Sequence, residues 1–325
     1  MRKLAFAAWP SFLLSVVCSV LRGEDMPPEQ KERRKNAIAT VQRLTSNRGI
    51  EWGPDDNMTR VAITGVPADA LENICGILTD LGRFRDLELS MPIARGTSEL
   101  EAVSRLTFLE SCAIGEALAT DDAPSYLAPL TKLTYASFGN GPFTGARLGE
   151  LRACPKLEWL NLGRCEALSP EAANQICEIQ SLRRLSAHEI PLTDADVATL
   201  VHKKDWKYLQ FRRTKITDAA IQAIATLPRL THLDIGEEGI SSTGIQALAA
   251  SDSLEWLDLR FCKNLDDATV DALAKTKRLR KVRLLDKNMI SAEAVKRLAA
   301  QRPELLVEHP ATDHYRKIGW GGFAE

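Results

Sequence analysis

Between Leu157 and Leu298 the chain repeats one apolar pattern six times, and this period limits its fold more than any other feature. The strand-like pieces read LEWLNLGRC, LRRLSAHE, WKYLQFRR, LTHLDIGE, LEWLDLRFC and LRKVRLLD. They begin at Leu157, Leu182, Trp206, Leu230, Leu254 and Leu279, 24 or 25 residues apart. A fixed period of this length marks stacked supersecondary units. Apolar residues at positions 1, 4 and 6 of each unit, such as Leu254, Leu257 and Leu259, have the two-residue alternation of a short strand. Another apolar residue follows ten or eleven places after the first (Leu168, Leu192, Ile216, Ile240, Leu265, Ile290). Pairs five and eight beyond that, such as Ile221 and Ile224, share one face of a helix. Ser169-Pro170-Glu171, Thr193-Asp194, Thr217-Asp218 and Ser291 supply helix-start chemistry.

A single unit cannot stand alone. At about 2 kcal/mol per buried aliphatic side chain, six apolar positions contribute about 12 kcal/mol. Ordering the backbone costs about 1–2 kcal/mol for every residue, so only stacking closes the core. The expected fold is an α/β solenoid with a parallel sheet inside and helices outside.

The pattern resembles the leucine-rich repeat family. The segment CPKLEWLNLGRCEALSPEAANQI, with Cys154 and Cys165, is similar to the cysteine-containing subclass, and Cys262 repeats the place of Cys165. Unit length is similar to that of the ribonuclease-inhibitor-like subclass. Ile190, Thr214 and Glu238 occupy the cysteine position elsewhere, so the likeness is to a subclass pattern. With the leader described below, it extends to exported bacterial-type members. The resemblance implies a right-handed horseshoe with the sheet on its concave face and helices on its convex face. It also implies a non-catalytic scaffold that binds a protein or peptide on the concave face.

Outside the regular region the same pattern starts at Met58, Phe84, Leu106 and Leu133, with spacings of 26, 22, 27 and 24 through to Leu157. The uneven steps around Leu106 predict longer turns or a kink. PELLVEH, near Leu305 to Val307, reads as a truncated closing strand, so residues 57–308 hold about ten repeats and a terminal strand. Residues 24–56 contain an amphipathic helix with Ala37, Ile38, Val41 and Leu44 on one side, expected to cap the first repeat. Residues 309–325 break the pattern and carry Tyr315, Trp320 and Phe323. They are expected to cover the last repeat, the alternative being a recognition tail.

Residues 1–23 have the layout of a signal peptide: Arg2 and Lys3, an apolar run from Leu4 to Leu21, then polar residues. The expectation is export to the periplasm, cell surface or medium, with cleavage after Ser19 or Gly23. The alternative is an uncleaved N-terminal anchor, because the run is long for a signal peptide. With 42 basic and 43 acidic residues, no global charge points to nucleic acid or to a membrane surface. Six cysteines outside the leader are too sparse to build the fold, although Cys154 and Cys177 lie on successive repeat edges where they could pair.

Phosphate-loop, nucleophile-elbow and zinc-protease motifs are absent from the sequence. His309, Asp313 and His314 do not make a convincing metal set, so neither metal nor cofactor is expected, and no enzyme. What the pattern does identify is a surface. Positions 3 and 5 of each strand point away from the buried leucines. Position 3 reads Arg60, Asp86, Phe108, Tyr135, Trp159, Arg184, Tyr208, His232, Trp256, Lys281. Position 5 reads Ala62, Glu88, Glu110, Ser137, Asn161, Ser186, Gln210, Asp234, Asp258, Arg283. The candidate partner-binding residues are those at position 3 from Tyr135 to Lys281, together with Asn161, Gln210, Asp234, Asp258 and Arg283. Aromatic residues and arginine dominate binding hot spots, which favours a protein or peptide ligand taken by a monomer. The alternative is a glycan or anionic polymer held by Trp159, Tyr208 and Trp256 with Arg184, Lys207, Arg212, Lys281 and Arg283.

Overall fold

The computed structural model describes residues 50–52, 58–64, 68–81, 84–91, 100–236, 239–284 and 289–312, together with helical residues between Glu29 and Thr40. The leader, most of the expected capping helix (Ala37, Val41 and Leu44 included) and residues 313–325 lie outside them.

Apolar alternation produces one strand per repeat, and among the described residues twelve strands join a single sheet in chain order. They are β1 (Ile50–Trp52), β2 (Met58–Thr64), β3 (Asp86–Met91), β4 (Ser111–Glu116), β5 (Tyr135–Gly139) and β6 (Trp159–Asn161), followed by β7 (Arg184–Ser186), β8 (Tyr208–Arg212), β9 (His232–Gly236), β10 (Trp256–Asp258), β11 (Lys281–Arg283) and β12 (Leu306–Glu308). β1 pairs antiparallel with β2, and each later strand pairs parallel with its neighbours. Parallel neighbours need a crossover, and here each one carries a helix that stacks on the next. The fold is an α/β leucine-rich-repeat solenoid.

The core runs unbroken between the two layers. Leu160, Leu185, Leu209, Leu233, Leu257 and Val282, all at position 4, are 0 or 1% exposed, and the helix residues Val197, Ile221, Ile245, Val270 and Val295 close over them. Stacking is reinforced by a relay along the helix starts. The carboxylate of Asp194 accepts the backbone N–H and hydroxyl of Thr217, one repeat on, at 2.7 and 2.6 Å. Asp218 does the same for Ser241, and Asp267 for Ser291. Each such aspartate opens its own helix, where a negative charge is favoured, and satisfies a donor of the next. The crossover after β5 departs from the α-helical expectation: Leu148–Ala153 form a 3-10 helix.

The structure corrects the third repeat. Ser111 pairs with Asp86 on one side and Tyr135 on the other, so position 1 is Leu109 and not Leu106. Phe108 and Glu110 leave the ladder, and Ser111 and Ala113 replace them. With Leu109 as start the spacings become 26, 25, 24 and 24, and the expected kink disappears. Sequence favoured Leu106 because it is as fully buried as Leu109, but in the turn before the strand. Backbone dihedrals agree with the new register: Glu116, Asn140, Arg164, Glu189 and Arg213, each at position 8, all have φ between 53° and 66°. This left-handed residue ends five consecutive strands and turns the chain toward the helix side.

Cys154 and Cys177 do not pair. Their thiols point to separate carbonyls, those of Leu127 and Thr199. Cys165 and Cys262 are buried as expected, each donating to the end of the preceding strand, at the carbonyls of Phe138 and Ile235. Burial pushes the Cys165 thiol up to about 12, so it is protonated and inert at neutral pH.

Candidate functional site

Parallel pairing in strict register brings the position-3 side chains of β5 to β11 into one line. Strands stand about 4.8 Å apart, so the rings meet. Tyr135 and Trp159 make an edge contact at 5.1 Å. The Arg184 guanidinium lies 4.0 Å over the Trp159 ring and 5.1 Å from that of Tyr208, and the two rings stand 6.2 Å apart, tilted by 58°. Tyr208, His232 and Trp256 continue the stack at 6.3 and 5.9 Å, and Arg283 sits over Trp256 at 5.5 Å. Lys281, at the end of the line, pairs instead with Glu308 at 2.8 Å. The rings remain partly exposed, and His232 is exposed. Burial nevertheless pushes the Tyr208 phenol up to about 12, and burial, then the charge of Arg184, holds His232 below the usual histidine range. The line is therefore neutral at pH 7 apart from its cations.

The position-5 row divides. In β4 to β7 it is small and uncharged: Ala113, Ser137, Asn161 and Ser186. Beside it Gly115, Gly139 and Gly163 carry no side chain, and the ring of His188 lies against Gly163, where a Cβ would meet it at 2.1 Å. A trough of about 530 Å³ results, running from Arg60, Asp86 and Glu88 to Tyr208 and Gln210. Asn161 spans its wall, donating to the Tyr135 hydroxyl at 3.3 Å and accepting from the Gly163 N–H at 3.0 Å.

In β8 to β12 the same row is charged and closed. Asp234 and Asp258 are 1% and 0% exposed. Gln210 donates to Asp234 at 2.8 Å, and Arg212 bonds Asp234 through two donors and Asp258 at 3.2 Å. Arg260 chelates Asp258 through Nε and a terminal nitrogen at 2.7 Å. Arg283 stands 3.8 Å from Asp258 and 2.6 Å from Glu308. Burial raises the Asp234 carboxyl, and the hydrogen bonds from Arg212 oppose it. Three arginines thus clamp two buried carboxylates.

The candidate residues fall into groups. Tyr135, Trp159, Arg184, Tyr208, His232 and Trp256 come together as one stack, with Asn161 and Gln210 beside it. Asp234, Asp258, Arg283 and Lys281 face one another or Glu308 instead of solvent. The apolar pattern ends at position 6 and does not mark position 7 as a row, where Gly163, His188 and Arg260 join Arg212, already named among the cations of the glycan or polyanion alternative. Continuing the two-residue alternation one step would have found that row.

Among the described residues no group of His, Cys, Asp and Glu is placed to hold a metal ion, and no helix is long and apolar enough to cross a membrane. The site is a leucine-rich-repeat strand face with an aromatic and cationic stack. No protein-family model matches the chain, and neither does any curated protein. Among solved structures it is similar to a chain of the yeast Rad7 and Elc1 complex, at 15% identity, covering 86% of each chain with a TM-score of 0.49. It is also similar to an internalin of Listeria monocytogenes, at 14% identity over 85% of this chain and 94% of that one, TM-score 0.45. A second internalin from the same organism has 19% identity over 76% and 92%, TM-score 0.44. These are likenesses of backbone arrangement only.

Proposed function

We propose that this chain is a non-catalytic, exported scaffold that binds a protein or peptide through the strand face between β5 and β10. The observation that carries it is the unbroken stack from Tyr135 to Trp256. Six large side chains are held partly exposed on a rigid sheet, although none is needed to fill the core. Rings already immobilised by their neighbours lose little freedom on binding, which is what a hot spot requires. The small floor beside them leaves room for a partner's backbone or side chains. A glycan or polyanion is less well served, because Arg212, Lys281 and Arg283 are already neutralised by Asp234, Asp258 and Glu308.

Site-specific photo-cross-linking tests the reading. A benzophenone side chain at position 256 in the native compartment should trap a discrete partner, and the same group at Gln246, on the helix side, should not. Equal adducts from both positions would sink it. Export is checked by intact mass: mature protein should start near Val20 or Glu24, and a full-length membrane-embedded form would replace that proposal with an anchor.

A further inference from the structure

The strand face carries four arginines and a lysine in or beside the stack and Arg60 at the far end of the trough, and their hydrogen-bonding capacity is spent very unevenly. Arg212, Arg260, Arg283 and Lys281 each face a carboxylate of Asp234, Asp258 or Glu308. Arg60 faces Glu88. Arg184 does not. Its guanidinium lies against two rings, 4.0 Å from that of Trp159 and 5.1 Å from that of Tyr208, and no side-chain hydrogen bond or ion pair to it occurs among the described residues. A guanidinium is a planar fork of five donors matched to a carboxylate, and packing against the two rings holds it in place while satisfying none of those donors. Orientation is therefore settled before any ligand arrives. Leaving such a group part-buried without an acceptor carries a desolvation cost, which a bound anion would reverse.

Resting on the protein-binding reading above, we propose that Arg184 is the anchor of the site and that it receives one carboxylate, an Asp or Glu side chain of the partner. A single free fork argues for a single anionic group. A polyanion would need several free cations in register, and along this face Arg212 and Arg283 are consumed within the clamp and Lys281 by Glu308. The surroundings suit a side chain on a peptide: Trp159 and Tyr208 flank the carbon stem, and the small neutral residues Ser137, Asn161 and Ser186 of the adjoining row add no competing charge. The partner chemistry is thus acidic and apolar together, one carboxylate set among residues that pack on aromatic rings.

The test uses the full chain and a displayed library of random twelve-residue peptides. Binders selected on the wild-type chain should share one Asp or Glu. Changing that residue to Asn or Gln should weaken binding at least tenfold, and Arg184→Gln should cost as much, with no further loss when the two are combined. Arg184→Lys keeps the charge but loses the fork, and should recover less than a tenth of the affinity. Both variants should retain the wild-type melting temperature within a few degrees, because Arg184 lies outside the core. Selected peptides that lose binding on Trp256→Ala but show no coupling between an acidic residue and Arg184 would overturn this proposal and leave the protein-binding face standing. Peptides indifferent to Trp159→Ala and Trp256→Ala would overturn both. Heparin binding with a steep salt dependence that survives Arg184→Gln would assign the face to a polyanion instead, against the carboxylate anchor.

Discussion

Across β4 to β7 the row at position 5 is floored by Ala113, Ser137, Asn161 and Ser186 and leaves a trough of about 530 Å³. Across β8 to β12 the same row holds Gln210, Asp234, Asp258, Arg283 and Glu308, and the space is filled by arginine side chains reaching between carboxylates. The backbone does not distinguish the two stretches: strands pair in the same register, and positions 4 and 6 are buried in both. What differs is the choice of side chain where the core asks for nothing. One stretch spends those positions on open volume and the other on mutual neutralisation. Recognition and rigidity are therefore separable on this face, and the ring stack at position 3 is the element that crosses both.

The largest difference is expected on removing a clamp carboxylate. Asp258→Ala strands Arg260 and weakens the hold on Arg212 and Arg283, at about 3–5 kcal/mol, because the charges left behind are partly buried and uncompensated. Asn161→Ala, at the same position in the trough, loses two hydrogen bonds from a half-exposed residue and should cost about 1 kcal/mol. Urea unfolding of both variants measures the contrast. Equal losses would mean that the clamp is not a structural device.

Next in size is the contrast between the stack and the core beneath it. Leu160→Ala should lose about 2–5 kcal/mol, since Leu160 is 0% exposed. Trp159→Ala, one residue away on the outer face, should lose about 0.5–1.5 kcal/mol of ring contact. If the tryptophan variant unfolds the chain, the rings are core after all and their availability to a partner fails.

Acid should separate the two stretches by sign. The Glu308 carboxyl lies below its ordinary 4.5: burial opposes ionisation, but the bonds from Lys281 and Arg283 together outweigh it. A lowered folded value means stability that is present above about 4.5 and lost as pH falls through the folded value. Asp86, in the trough, lies above its ordinary 3.8, chiefly through burial. Its ionised form is a cost at neutral pH that is relieved as pH falls through the raised value. Glu308→Gln should therefore flatten the acid loss of stability, and Asp86→Asn should be neutral to stabilising at pH 7 with its advantage shrinking in acid. Urea midpoints between pH 7 and pH 3 test both signs, and a parallel response of the two variants would contradict them.

The smallest effect is expected for Ser137→Trp, which projects into the open trough. Stability should stay within about 0.5 kcal/mol, as for a surface change, while binding to the face is blocked. A marked loss of stability would show that the trough is less open than its lining implies.

Much of this architecture was legible in the sequence because it is written redundantly and locally. The leucines at positions 1, 4 and 6 recur in repeat after repeat, and their alternation requires no knowledge of the neighbours. The stack from Tyr135 to Trp256 followed from the same alternation, since position 3 must face away from position 4. Where the code was not redundant, it misled: Leu106 and Leu109 are equally apolar and equally buried, and only pairing with Asp86 and Tyr135 assigns β4 to Ser111–Glu116. The clamp was less legible still. Arg212, Asp234 and Asp258 are 22 and 46 residues apart for the pairs that meet, and any of the nearby charges would have served on composition alone. Sequence determined which side chains leave the core, because burial is set by each residue's own apolar pattern. Tertiary structure alone decided that Asp234, Asp258 and Glu308 claim Arg212, Arg260 and Arg283 while Arg184 stays stacked and open, because electrostatic partners are chosen by distances between strands that a linear pattern does not contain.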